Sequence, residues 1–324
     1  VTRKINEHLR TKDALLAASL YYQQHEKMEA IASQLGTSRS TVSRLLQYAR
    51  ETGLVKIEIH NPRDTTNSVA MRLSELFDIK AHVVATSSRL TELERLDRTA
   101  KVAAQIVAAS IDSRLTVAVA WGATLSAITK SLPSKDVYDV NVVQMNGAAN
   151  VRTSGMSYTG GILGRFAQSF GASLHQFPVP ALFDDPATKA AMWRERSVQR
   201  VLDLQRRAGL FVFGLGAPAA GIPSHVFADE YLDEADRKTI ADEQIVGDCA
   251  TVFYRADGSN NDISLNARSS GPSFEQIRAI PRRLCVVASP TKRHSLLGAL
   301  RAGLITELVV DEQCARALLD ELNP

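Results

Sequence analysis

The chain has 324 residues, 45% hydrophobic and 23% charged, an ordinary globular composition that is long enough for two domains. No apolar run approaches the roughly 18–20 residues that cross a bilayer, and the opening "VTRKINEHLR" has no signal-peptide core, so a cytoplasmic protein with no membrane partner is expected. The net charge of +3 lies in residues 1–60, which hold nine Lys/Arg and six Asp/Glu; the remainder carries 29 of each sign, an asymmetry that suits a nucleic-acid-binding end.

From Lys12 to Gln24, Leu15, Ala18 and Tyr22 recur at helical spacing, with Leu16 and Leu20 widening the stripe, which predicts a first helix. "KMEAIASQLG" places Met28, Ile31, Ala32 and Leu35 on one face of a second helix that stops at Gly36. A third helix follows, with Thr37 or Ser38 as its N-cap and Val42, Leu45, Leu46 and Ala49 facing inward. Its opposite face collects Ser38, Arg39, Ser40, Thr41, Ser43 and Arg44, beside Thr37. Hydroxyls and guanidinium groups of this kind suit phosphate oxygens and base edges in a major groove, so the segment is expected to be the recognition helix of a helix-turn-helix bound to double-stranded operator DNA. The alternation of "GLVKIEIHNP", broken at Pro62, predicts a strand at Leu54–Ile59 and hence a winged variant. Two domains are expected, 1–60 for DNA and 79–324 for effector binding and oligomerisation, joined by a linker and helix over 61–78. The polar stretch His60–Ser68 marks the boundary, followed by a helix through Val69, Leu73, Leu76 and Phe77.

Beyond residue 79 strands and helices alternate. Strands are predicted at "AHVVAT", "LTVAVA", "VNVVQM", "LFVFGLG", "LCVVAS" and "ELVVD", with helices over Glu92–Ser110, after Gly122, at Ser157–Phe170, before Arg207, over Lys292–Ala302 and at the end. The fold class expected is α/β: an amino-terminal winged helix-turn-helix and a doubly wound sheet with ligands at the carboxyl ends of its strands. Polar and small residues gather at those ends: Trp121, Gly122, Ala123 and Thr124, then Gln144, Asn146 and Gly147, then Gly216, then Thr291 and Lys292. Asp248 in "IVGDCATVFYRADG" enters a further strand, where its carboxylate either accepts from ligand hydroxyls or simply turns the chain. Cys249, Cys285 and Cys314 have no metal-ligand or redox spacing and read as small buried hydrophobes; no metal, cofactor or catalytic residue is expected.

In order, "IASQLGTSRSTVSRLLQYARETGLVKIEI", "VAVAWGATL", "NVVQMNG", "VGDCATVFYRADG" and "KRHSLLGALRAGLITELVVDEQCARALL" resemble the SorC-type (SorC/DeoR effector-domain) family of bacterial sugar-responsive transcriptional regulators, over essentially the whole chain. The resemblance implies an effector domain related in fold to glucosamine-6-phosphate deaminase and ribose-5-phosphate isomerase. It also implies a sugar, polyol or sugar-phosphate effector, and a homotetramer or dimer. Carried over by position, Trp121–Thr124 form the hydroxyl- or anion-binding turn, Asn146 and Gly147 lie in the ligand-proximal loop, and Asp248 and Lys292 match effector-contacting positions. Two departures stand out. Asn146 replaces a lysine or arginine of relatives, which removes imine capture and weakens phosphate binding, and Trp121 and Ala123 replace small residues of the phosphate-binding turn. The function expected is regulation of a carbohydrate or polyol operon by a protein that is not an enzyme. The alternatives are an isomerase- or deaminase-like enzyme using Asp248 with His175 or His294, and a DNA-binding protein without a ligand.

Overall fold

The structure, a computed structural model, describes residues 2–55, 65–218, 220–221, 224–228 and 230–322. The chain divides into two compact units, Val1–Asp64 and Thr65–Pro324.

In the first unit, α1 (Thr2–Ala18) runs into a π-helical turn at Ser19–Gln23, and α2 (Met28–Gln34) and α3 (Arg39–Glu51) follow. The expected stripe on the first helix is corrected in two ways. α1 begins well before Lys12, and from Arg10 onward its buried residues are Ala14, Ala17 and Ala18, whereas Leu15 and Leu16 are 54% and 47% exposed; Ala18 and, just beyond α1, Leu20 are buried as expected. Large side chains set the rhythm visible in the sequence, but α1 packs on α3, and small side chains let two helices approach. Gly36 turns the chain with φ +61°, and Ser38 caps α3 by accepting from the Thr41 N–H at 3.2 Å. Val42, Leu45, Leu46 and Ala49 are buried against Ile31 and Ala32 of α2. Leu54 and Val55 are not in a strand. The rest of the predicted wing, residues 56–59, lies outside the described residues.

The second unit opens with α4 (Thr65–Phe77), which starts inside the stretch read as linker. Then come β1 (Lys80–Val84), α5 (Glu92–Ser110), β2 (Thr116–Val119), α6 (Ala123–Lys130), β3 (Asn141–Gln144), α7 (Met156–Phe170), β4 (Ser173–His175), α8 (Pro186–Met192), α9 (Arg196–Arg206) and β5 (Leu210–Gly214). The chain continues through α10 (Glu234–Asp242), β6 (Ile245–Cys249), β7 (Val252–Arg255), α11 (Ser264–Arg268), α12 (Phe274–Ala279), β8 (Arg282–Val287), α13 (Arg293–Arg301), β9 (Glu307–Asp311) and α14 (Glu312–Leu322). The long helix expected before Arg207 is two helices, broken where Trp193 packs edge-on against Phe177 and Phe183.

Seven strands form one parallel sheet in the order β1-β9-β8-β5-β2-β3-β4, and β6 and β7 form a separate antiparallel hairpin. Alternation along each strand divides the apolar side chains between two cores. Val117, Val119, Val142, Leu210, Val212 and Val286 meet α5, α6 and α7, while Ala118, Val143, Phe211, Phe213, Cys285 and Val310 meet α4, α9, α12, α13 and α14. Helices cover both faces, as expected for a doubly wound sheet. All three cysteines are buried and free.

Candidate functional site

From β2 the chain moves outward through β3 and β4, then returns to place β5 on the other side of β2, with β8 beyond it. The carboxyl ends of β2 and β5 therefore diverge into a crevice, the place where parallel sheets of this kind hold ligands. A cavity with about 50 Å³ of water-accessible space lies there, lined by the exits of β2, β3, β5 and β8, the start of α6, and the β6–β7 hairpin.

At the β2 exit, Gly122 has φ +144° and ψ 176°, a conformation open essentially only to glycine. It caps α6 without a side-chain acceptor, so the first-turn N–H groups are left for whatever occupies the cavity. Trp121 is pinned by its indole N–H, which donates to the Gly147 carbonyl at 2.8 Å. One of its faces is stacked on Tyr231 at 5.4 Å, so only part of the ring is left to line the cavity.

Asn146 and Asp248 are 2% and 5% exposed, and in each the Oδ1 atom is buried without a hydrogen-bond partner. Asp248 Oδ2 accepts from the Thr251 N–H at 2.9 Å, which holds the two-residue turn Ala250–Thr251, both at positive φ. Burial pushes the Asp248 carboxyl up to about 6, against the opposing pull of the Thr251 N–H and of Lys292. Lys292 donates from Nζ to the Leu215 carbonyl at 2.8 Å, and burial lowers its pKa while Asp248 raises it. Just before it, Ser289 adopts φ +144°, a strained conformation for a residue with a side chain. The strain is held by the Ser289 N–H donating to Asp311 at 2.8 Å and Oγ donating to Glu92 at 2.8 Å.

The residues Trp121, Gly122, Ala123 and Thr124 thus meet Asn146, Asp248 and Lys292 around one cavity. Gln144 and Gly147, read from the sequence as effector contacts, do not line it. Gln144 is spent on the backbone, donating to the Asn146 carbonyl and accepting from the Phe177 N–H. Gly147 sits so close to the Val179 and Pro180 carbonyls that a Cβ would collide with them, and its N–H donates to Ser270. The histidines weighed as bases are also elsewhere: His175 shares a hydrogen bond with Asn141, and His294 pairs with Glu321. The sequence reading missed Ser224 and His225, on a 3-10 turn in the loop between β5 and α10, and Thr251 on the hairpin. Burial holds the His225 pKa below its ordinary value, with Glu230 opposing. The signal for them was only the length of that loop, since long loops after strand exits tend to carry function.

In the first unit, Ser38, Arg39, Ser40, Ser43 and Arg44 are exposed, and Thr37 and Thr41 are half-buried, at the start of α3 and opposite its core face. Arg39 pairs with Glu29 at 3.1 Å, and Arg44 reaches Thr41 Oγ1 at 3.4 Å. Among the described residues no helix is long and apolar enough to cross a membrane, and no cluster of ligating side chains could hold a metal.

A family model described as "Putative sugar-binding domain" matches residues 62–320. The chain is 30% identical over 309 residues to the deoxyribonucleoside regulator of Bacillus subtilis (strain 168), covering 94% of this chain and 96% of that one. It is 25% identical over 306 residues to the sorbitol operon regulator of Klebsiella pneumoniae, covering 93% and 96%. Among solved structures, a domain of a possible sugar-binding transcriptional regulator from Arthrobacter aurescens TC1 superposes with a TM-score of 0.75 at 47% identity, covering 80% of this chain and all of that one. Full-length SorC from Klebsiella pneumoniae, at 24% identity, shares the fold with a TM-score of 0.74, covering 94% and 97%.

Proposed function

The chain belongs to the SorC-type family of sugar-responsive transcriptional regulators, and on that premise we propose that it is a DNA-binding regulator of a carbohydrate or polyol catabolic operon. Its operator affinity changes when a sugar, polyol or sugar phosphate binds in the Thr65–Pro324 unit. The observation that carries this reading is the cavity at the ends of β2 and β5, where Asn146 and Asp248 hold buried oxygens without partners. A buried acceptor left unpaired costs about 1–3 kcal/mol, and a hydroxyl-bearing ligand relieves that cost.

In this reading Arg39 and Arg44 contact the operator, with Thr37, Ser38, Ser40, Thr41 and Ser43 on phosphates or base edges, and the protein works as a homotetramer or dimer whose paired α3 helices match the operator's half-sites. Trp121, Gly122, Ala123, Thr124, Asn146, Asp248 and Lys292 hold the effector. Gln144 and Gly147 act behind them, fixing the Asn146 loop. The test is operator binding by the purified protein with and without candidate effectors: a change in operator affinity on adding a sugar, polyol or sugar phosphate is expected, and an unchanged affinity with all of them would overturn the reading.

A sugar-phosphate isomerase or deaminase with an attached DNA-binding unit is the second reading, together with the fold relation to those enzymes. What favours it is the Asp248 carboxyl near neutrality in one cavity with His225. The relatives, however, are named as regulators. No turnover of ribose 5-phosphate or glucosamine 6-phosphate is expected; turnover that disappears in Asp248→Asn would replace the regulator reading.

A further inference from the structure

We infer that the cavity takes an unphosphorylated polyhydroxy ligand, a neutral sugar or polyol, that donates one hydroxyl hydrogen to Asn146 and one to Asp248. The inference rests on the effector reading above and narrows it to one chemical class.

Three observations carry it. First, the unpaired buried oxygens Asn146 Oδ1 and Asp248 Oδ1 come from separate elements, the β3 exit and β6, and both are acceptors. A hydroxyl satisfies an acceptor by donating to it. The phosphate group of an ester satisfies neither oxygen, since once ionised it offers acceptors only, and it adds about −1.5 to −2 charges near pH 7 to a cavity that already holds the Asp248 carboxylate. Second, among the described residues Lys292 is the single lysine or arginine lining the cavity, and it is already committed to the Leu215 carbonyl and acted on by Asp248. No arginine is present to grip a phosphate by two parallel hydrogen bonds. Third, much of the remaining wall is apolar, with Leu96, Leu125, Leu215 and Val226 beside the Trp121 ring, and an indole ring and aliphatic side chains suit the C–H groups of a sugar or polyol.

A consequence is proton linkage. A ligand hydroxyl that donates to the Asp248 carboxylate stabilises its charged form, so binding lowers a carboxyl that burial holds at about 6 in the empty cavity. Affinity is then level above pH 7 and falls as the pH drops below 6, by up to about tenfold per pH unit for one proton. The charged group acting on Asp248 is Lys292; its other titratable neighbours are Cys249 and Tyr254, both raised well above their ordinary values and neutral throughout, and His225 titrates on the same cavity wall.

The experiment is calorimetry on the full chain with ribose, sorbitol and erythritol, each paired with its terminal phosphate ester, between pH 5 and 8. At least one neutral compound is expected to bind more tightly than its ester. Asp248→Asn, which keeps an acceptor for the Thr251 N–H, is expected to weaken that binding about 10- to 100-fold and to flatten the pH profile. Asn146→Leu is expected to weaken it similarly, whereas Asn146→Asp, which keeps an acceptor, retains it. An ester that binds more tightly than its parent, or an Asp248→Asn protein with unchanged affinity and pH profile, overturns the inference and leaves the effector reading standing. Binding by neither class, with operator affinity unmoved, overturns both.

Discussion

Asp248 holds a charge that its surroundings oppose. Its carboxyl is raised from the ordinary 3.8 to about 6, chiefly by burial. A carboxyl raised on folding adds stability that is complete below its unfolded pKa and is lost as the pH rises through its folded one, so at pH 7 the empty cavity costs the fold stability. Asp248→Asn is therefore expected to stabilise the ligand-free protein by about 1–3 kcal/mol at pH 7, with the gain vanishing below pH 4, as chemical denaturation at the two pH values would measure. Glu307 behaves in the opposite way. Burial alone would raise it, but hydrogen bonds from His82, Arg282 and Lys80 outweigh burial and hold it at about 2. Its stabilisation is present above the unfolded value near 4.5 and is lost as the pH falls toward 2. Glu307→Gln should destabilise by about 2–3 kcal/mol at pH 7 and by much less at pH 2–3, read from denaturation midpoints. Neither residue announces its state in sequence, because burial decides it for Asp248 and partners on β1 and β8 decide it for Glu307.

Two turns at the level of elements shape the candidate functional surfaces. At α3, the Ser38 cap fixes where the helix starts and thereby which residues stand at its amino-terminal edge. Ser38→Ala should cost about 1 kcal/mol of stability. Arg39→Ala and Arg44→Ala are expected to leave the fold intact and weaken operator binding while reducing its salt dependence; unchanged affinity in both would remove α3 from the interface. At α6, Gly122 has open space where a Cβ would go, yet its φ of +144° with ψ of 176° strains any residue that carries a side chain. Gly122→Ala should cost about 1–3 kcal/mol through backbone strain alone, measurable by thermal unfolding. Both turns were legible, since a capping hydroxyl and a glycine between strand and helix leave local marks. The packing of α1 was legible only in part: Ala18 and Leu20 are buried as read, but Leu15 and Leu16 are exposed, and Ala14 and Ala17, which the close approach to α3 selects, were passed over.

Across the whole molecule, a regulator needs free-energy coupling between cavity and operator, and coupling is reciprocal. If a sugar weakens operator binding by a given factor, saturating operator DNA should weaken sugar binding by the same factor; calorimetry with and without DNA checks this. Helical spacing, strand-and-helix alternation and polar strand ends were enough to anticipate the α/β class and the gathering of polar residues at the carboxyl ends of the strands, because those signals are local and repeat along the chain. The sequence also placed Trp121, Gly122, Thr124, Asn146 and Lys292 near strand exits by the same logic, and Asp248, separately, at the entry to a further strand. Only the tertiary structure decided which exits converge. The return of the chain to set β5 beside β2 opens the crevice and brings Asp248 from a separate hairpin and His225 from a long loop to its wall, while Gln144 and Gly147, one residue or two from the cavity, are consumed by backbone contacts. Strand order and side-chain partners are long-range properties, set by which surfaces bury together, and no local pattern encodes them.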